Sequence, residues 1–168
     1  MKNTYELRGY ITNLGKYVEG ELVGKWITFP IDEDELEQVF EDIQINDRYE
    51  EFFFTDWEQT DNILHLGEYE NIEDVNDAVE SIQTLDDYDY TKALAIIDAN
   101  GLIAVTDSID LDDYVFYQDM SLIDVAYELV EDMGLPEFAE RYFDYEAFAR
   151  DLGFENFSET SYGTLEYL

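Results

Sequence analysis

Carboxylates are the reactive group this sequence supplies in bulk. Residues 31–58, IDEDELEQVFEDIQINDRYEEFFFTDWE, hold twelve of them against a single cation, Arg48. Carboxylates can do acid–base work in pairs, bind hard cations, or act together as a polyanion. With 43 acids in the chain, close pairs are unavoidable, so proximity alone does not identify a glycosidase-type pair. The calcium-loop pattern fails everywhere. Its nearest approach, Asp107 to Asp113, lacks the central Gly and the closing Glu. His65 is the lone histidine and there is no Cys, so thiolate chemistry, disulfides and a His-based metal centre are not expected. No Gly-rich phosphate loop occurs, and Asn156-Phe157-Ser158 is a glycosylation sequon without a secretory context. The expectation is a protein without catalytic residues, metal or cofactor.

The polyanion reading is left. The net charge of −35 lies far outside the magnitude of ~2–8 that serves a small soluble domain. Such charge destabilises a compact state by self-repulsion. It is also unevenly placed. Residues 1–30 carry Lys2, Arg8, Lys16 and Lys25 against Glu6, Glu19 and Glu21, whereas residues 31–168 carry 40 acids against four cations. Yet 46% of the chain is hydrophobic, with 14 Tyr and 11 Phe, enough apolar surface to fold. Clustered Lys and Arg are missing, so neither nucleic acid nor an anionic membrane is an expected partner. No signal pattern or apolar run near 18 residues occurs, and a soluble, cytoplasmic protein is expected.

The elements that must position these acids can be read from periodicity. Residues 5–14, 25–29, 52–57 and 114–118 read as strands, and 15–24, with three glycines, as a loop. Asp32 with Glu35 resembles a capping box opening a helix whose Leu36, Val39, Phe40 and Ile43 share one face. Asn71 caps a second helix with Ile72, Val75, Val79 and Ile82 inward. Residues 90–99 read as a third helix, ending at Asn100-Gly101. Ser121 with Asp124 opens another through Met133, stopped by Gly134 and Pro136. Two short helices follow over 137–152, the second capped by Asp144, and 157–168 reads as a strand around Gly163. Polar stretches near 59–70 and 104–113 separate the segments. The pattern is α+β: a small α/β unit, a helical middle and a second α/β unit.

On these helices the acids fall outward, almost without Lys or Arg beside them. Opposite charges at i,i+4 stabilise a helix by ~0.2–0.5 kcal/mol and like charges cost a similar amount, so the pattern is repeatedly unfavourable locally. Duplex DNA carries about one charge per 1.7 Å of axis, and the 36 net negative charges of residues 31–168 at that density would cover about 60 Å, roughly 18 bp. Carboxylates could thus stand in for phosphates before a DNA-binding groove. A binder of another basic protein uses the same electrostatics. A halophilic surface is also acid-rich, although 16% aromatic residues argue against it.

Two stretches add a resemblance. YITNLGKYVEGELVGKWITFP (10–30) resembles the opening of the ArdA antirestriction family. YFDYEAFARDL (142–152), preceded by DVAYELVEDMGL (124–135), resembles its C-terminal signature. The similarity spans most of residues 10–168, with 62–113 sharing acidity and helical character. It implies an elongated chain of three small domains, α/β, helical, α/β, here bounded at 1–65, 66–108 and 109–168. It implies a dimeric DNA mimic, carried by conjugative plasmids and transposons, that occupies the DNA-binding site of type I restriction-modification enzymes, protects incoming DNA, and is neither an enzyme nor cofactor-dependent. The expected phosphate surrogates are Glu33, Asp34, Glu37, Glu41, Asp42, Glu73, Asp74, Asp77, Glu80, Asp124, Glu128, Glu131 and Asp132. The loop acids Glu50, Glu51, Asp86, Asp87, Asp110, Asp112 and Asp113 support them. A homodimer needs an apolar patch, for which Tyr114, Val115, Phe116, Tyr117, Leu122, Val125 and Leu129 are candidates. Phe143, Phe148 and Leu152 are expected in the C-terminal core, with Arg141 or Arg150 tethering nearby carboxylates.

Overall fold

Alternating apolar residues make β1 (Leu7–Asn13), with Leu7 and Ile11 inward. A computed structural model describes residues 3–168; Lys2, one of the cations of the near-neutral end, lies outside them. β1 is the centre of an antiparallel sheet, flanked by β2 (Gly24–Phe29) and β3 (Phe52–Gln59). The register slips between Tyr10 and Ile11, which pair with Asp56 and Phe54, so Thr55 is the extra residue of a bulge. Across the bulge Phe54 and Trp57 pack together, ring centroids 4.3 Å apart. Gly9 lies under that indole: a Cβ there would meet Trp57 Cζ3 at 2.7 Å, so this position requires the smallest residue. The three phenylalanines divide between the two faces of β3, Phe52 and Phe54 on one and Phe53, packed on Tyr17, on the other.

The first compact unit runs to Asp86 and includes Leu102–Ser108. Its helices are α1 (Leu14–Val18), α2 (Glu33–Asp42) and α3 (Ile72–Gln83). The expected loop over 15–24 thus contains a helix. Asn13 caps it, accepting from the Lys16 N–H, and five residues are too few to display a helical repeat. Asn13 is fully buried and satisfied, its amide donating to the carbonyls of Ile43 and Gln44 at the end of α2. Asn76 of α3 clamps the entry to α2 by bonding both the N–H and the carbonyl of Ile31. Val39, Ile43, Val75, Val79 and Ile82 are buried as their spacing required. A two-residue strand, β4 (Leu64–His65), lies inside the polar stretch 59–70 and pairs in parallel with β5 (Ile103–Ala104). Ile63, just before β4, and Leu64 are buried; the three apolar residues Ile63, Leu64 and Leu66 are hidden by the polar residues around them.

The second unit comprises Asp87–Gly101 and Ile109–Leu168. Residues 66–108 are therefore shared: α3 and β5 belong to the first unit and α4 (Asp87–Asn100) to the second. α4 begins three residues before the expected start, with Asp87 and Asp89 in its first turn, where the helix dipole favours anions. β6 (Tyr114–Gln118) pairs with β8 (Gly163–Tyr167), which pairs with β7 (Phe157–Thr160). The single expected C-terminal strand is thus a hairpin, turning at Ser161-Tyr162. α5 (Leu122–Met133), α6 (Glu137–Arg141) and α7 (Tyr145–Phe154) complete the unit. One sheet face buries Phe116 and Leu165 against Ala95 and Ile96 of α4. The other packs Tyr117 and Phe157 against Val125, Ala126, Ala149 and Leu152 of α5 and α7. α5 opens with a reciprocal Ser121–Asp124 capping box and closes at Gly134, whose φ of +66° is the left-handed geometry glycine favours. Asp144 caps α7 through the Ala147 N–H.

Candidate functional site

Each acid-bearing helix is anchored by the residues that also turn its acids outward. In α2, Asp32 accepts from the Glu35 N–H at 2.8 Å, and the inward face of Val39 and Ile43 leaves Glu33, Asp34, Glu37, Glu41 and Asp42 exposed. In α3, Asn71 accepts from the Asp74 N–H at 3.0 Å; Glu73, Asp77 and Glu80 are exposed and Asp74 is half-exposed. In α5, Asp124, Glu128, Glu131 and Asp132 are all exposed. Glu33, Glu37 and Glu41 form one i,i+4 ladder, as do Asp124, Glu128 and Asp132, with steps of about 6 Å along the axis.

Local forces do not account for this placement. Glu33, Asp34, Glu73, Asp74 and Asp124 lie in first turns, where the helix N-terminus stabilises them. Glu41, Asp42, Glu80, Glu131 and Asp132 lie at the opposite ends, where the same dipole makes a carboxylate unfavourable by ~0.3–1 kcal/mol. None of the three helices has a basic residue in its last turn. Asp42 is the offset case. Lys25 donates to it at 2.7 Å and Gln38 at 3.0 Å, and these bonds hold its carboxyl below the usual carboxylate range. Asp124 is likewise held low by its bonds from Ser121. Its charge serves the capping box as well as the surface.

The loop acids divide by local role. Glu50 and Glu51 are exposed just before β3. Asp86 is exposed, and Asp87 sits not in a loop but at the start of α4. Asp112 and Asp113 belong to a one-turn 3₁₀ helix, Leu111–Asp113, capped by Asp110 through the Asp112 N–H. The acidic stretch that most resembled a calcium loop is thus a capped turn. Among the described residues no three carboxylates or imidazoles converge as a metal ion would require. His65 is exposed on β4. No helix among the described residues is long and apolar enough to cross a membrane.

The apolar patch expected between protomers is mostly used inside the second unit. Phe116 and Val125 are buried in its core, which removes them as partner contacts. Tyr114, Tyr117, Leu122 and Leu129 are half-buried against the same core, and Val115 is exposed. Burial, followed by the Glu166 carboxylate, raises the Tyr117 phenol above its ordinary pKa, with Glu128 and Asp132 adding to the effect. Leu152 is buried and Phe148 packs beside it, with Phe143 edge-on to Phe148 at 5.6 Å. Arg141 reaches Glu137 at 3.8 Å and Arg150 reaches Asp151 at 3.4 Å. The aromatic side chains most open to solvent in this unit are Phe138, Tyr142 and Phe154, which amphipathic spacing did not single out.

Sequence reasoning also missed a cleft in the first unit. It opens between α2, the start of β3 and the first turns of α3, with a volume of about 650 Å³. Ile31, Leu36, Phe40, Phe52 and Ile72 supply apolar walls, and Glu33, Glu68, Glu70 and Glu73 supply carboxylates. Tyr69, 70% exposed and stacked on Phe53 at 6.1 Å, stands at its edge. An aromatic residue between two glutamates in an otherwise polar stretch was the available signal.

Comparison with known proteins agrees with the sequence resemblance. No curated protein matches the chain. The family model described as antirestriction protein (ArdA) matches residues 9–166, nearly the whole chain and both acid-bearing units. The capped acidic helices and the match over residues 9–166 together place this chain in the ArdA family of antirestriction proteins.

Proposed function

We propose that the protein performs antirestriction as a mimic of B-form DNA. It occupies the DNA-binding site of a type I restriction-modification enzyme and thereby protects incoming plasmid or transposon DNA. The observation that carries this reading is the set of exposed carboxylates on α2, α3 and α5, extending to helix ends where the dipole disfavours them and the last turn holds no basic residue, with Asp42 alone offset by Lys25. A surface that opposes its own local electrostatics is accounted for by a partner that supplies the positive charge. Binding is competitive occlusion, helped by electrostatic steering and counterion release. No covalent step and no cofactor enter it. The protein acts in the cytoplasm as a homodimer, with Val115 and the half-buried Tyr114, Tyr117, Leu122 and Leu129 as its candidate contacts.

The test is displacement. Purified protein is titrated into a type I restriction-modification enzyme bound to labelled DNA, at low and moderate salt. Release at near-stoichiometric protein, weakening as salt rises, is the expected result. Single substitutions such as Glu37→Gln should change the midpoint by no more than a few-fold, because one exposed charge contributes ~0.2–1 kcal/mol. Neutralising Glu33, Asp34, Glu37, Glu41 and Glu73 together should weaken release by tenfold or more, ~1.4 kcal/mol or above. A folded protein that releases no DNA at either salt would instead favour a different basic partner.

A further inference from the structure

The cleft of the first unit offers something a phosphate backbone does not: apolar and aromatic walls beside carboxylates. We infer that it takes an arginine side chain of a basic partner, the guanidinium resting on the aromatic walls within reach of Glu33 and Glu73. This deepens the proposed DNA mimicry and rests on it for the partner, since both glutamates belong to the acidic surface.

Four observations favour this occupant. The volume of about 650 Å³ is in the range of ligand sites, ~300–1,000 Å³, and admits an arginine together with its flanking chain. The rings of Phe40 and Phe52, with centroids 5.3 Å apart, line it. An aromatic face attracts a cation, and the planar, weakly hydrated guanidinium stacks there better than a compact ammonium. The carboxylates of Glu33 and Glu73 have no ion pair among the described residues. Finally, no three carboxylates in the described chain come together as a metal ion needs. Charges spread around an apolar floor suit a broad organic cation and not a small inorganic one. The N-terminal turn of α3, which would repel a cation, is capped by Asn71 and carries Glu73 and Asp74. An arginine buried in such a pocket is a typical interface anchor, surrounded by contacts of small individual effect.

The probe is N-acetyl-arginine-amide, titrated into the isotope-labelled protein and followed by NMR at the methyl groups of Ile31, Leu36 and Ile72. N-acetyl-lysine-amide at matched ionic strength is the control. Saturable shifts confined to these methyls, stronger for arginine and about tenfold weaker in binding for the Glu33→Gln/Glu73→Gln variant, are expected. Both glutamates are exposed, and unchanged methyl signals of the variant at the buried Leu64, Val75 and Val79 of the same unit serve as the folding control. Shifts that never saturate and appear equally on α5, or an equal response to lysine, would overturn the inference. The titration uses no restriction enzyme, so its failure is separate from that of the displacement test. A protein that releases DNA without a saturable arginine response sinks only the cleft, and the reverse result sinks only the mimicry.

Discussion

The two units use their few cations differently. In the first, Lys16 pairs locally with Glu21 at 3.6 Å, but the other three described cations join elements far apart in sequence. Arg8 of β1 pairs with Glu58 directly opposite on β3, Lys25 of β2 reaches Asp42 at the end of α2, and Arg48 approaches Glu19 at 3.9 Å. In the second, the described pairs are local: Arg141 with Glu137 one helical turn away, and Arg150 with its neighbour Asp151. Tertiary order in the second unit comes instead from two apolar layers, α4 on one sheet face and α5 with α7 on the other. Burial must therefore outweigh the charge repulsion in both units, and the exposed ion pairs of the first add small increments that link its charged elements.

The largest expected effects test burial in each unit. Phe54→Ala removes a ring that is 1% exposed and packed on Trp57 and Phe29, at a cost of ~3–5 kcal/mol. Leu165→Ala, at a fully buried position between β6 and α4, should cost ~2–5 kcal/mol. Urea unfolding of each variant checks this. If Leu165→Ala is near neutral, burial is not what holds the second unit.

A smaller effect belongs to a helix end. Ser121→Ala breaks the capping box of α5 and should cost about 1 kcal/mol. It also carries a pH signature. Asp124 titrates below its ordinary value in the folded protein, chiefly because Ser121 bonds to it. Its stabilising contribution is therefore complete above the ordinary carboxylate pKa of ~3.9. It is lost as pH falls through the lower folded value. Ser121→Ala should move the Asp124 NMR titration upward and flatten that acid limb. An unmoved midpoint would mean that the cap does not hold the carboxylate.

The smallest effect sharpens the contrast in ion pairing. Lys25→Met deletes the cation that offsets Asp42, and both groups are partly exposed, so little stability is expected to change at moderate salt. The loss should grow as salt is lowered, where screening is weak. Asp42, whose carboxyl is held low first by its Lys25 bond, should then titrate higher. A loss independent of salt would show that Lys25 acts through packing of its stem and not through charge.

The sequence by itself determined the helices with a strong repeat and a polar cap. Asp32, Asn71, Ser121 and Asp144 each cap the helix they introduce, because capping needs only a short polar side chain and the next three residues. It also determined which helix acids face outward, since one face of Val75, Val79 and Ile82 leaves the rest to solvent. The resemblance carried by residues 10–30 and 142–152 extended to the family. Only the tertiary structure decided what depends on residues distant in sequence. α1 and β4 are too short to show a period, and β4 exists because β5, nearly forty residues on, pairs with it. Phe116 and Val125 have the composition of an interface, but the layers of α4 and α5 take them into the core. The cleft needs Phe40, Phe52 and Tyr69 from three separate segments. Local pattern settles which way a side chain points along its own element, and long-range packing settles what it meets there.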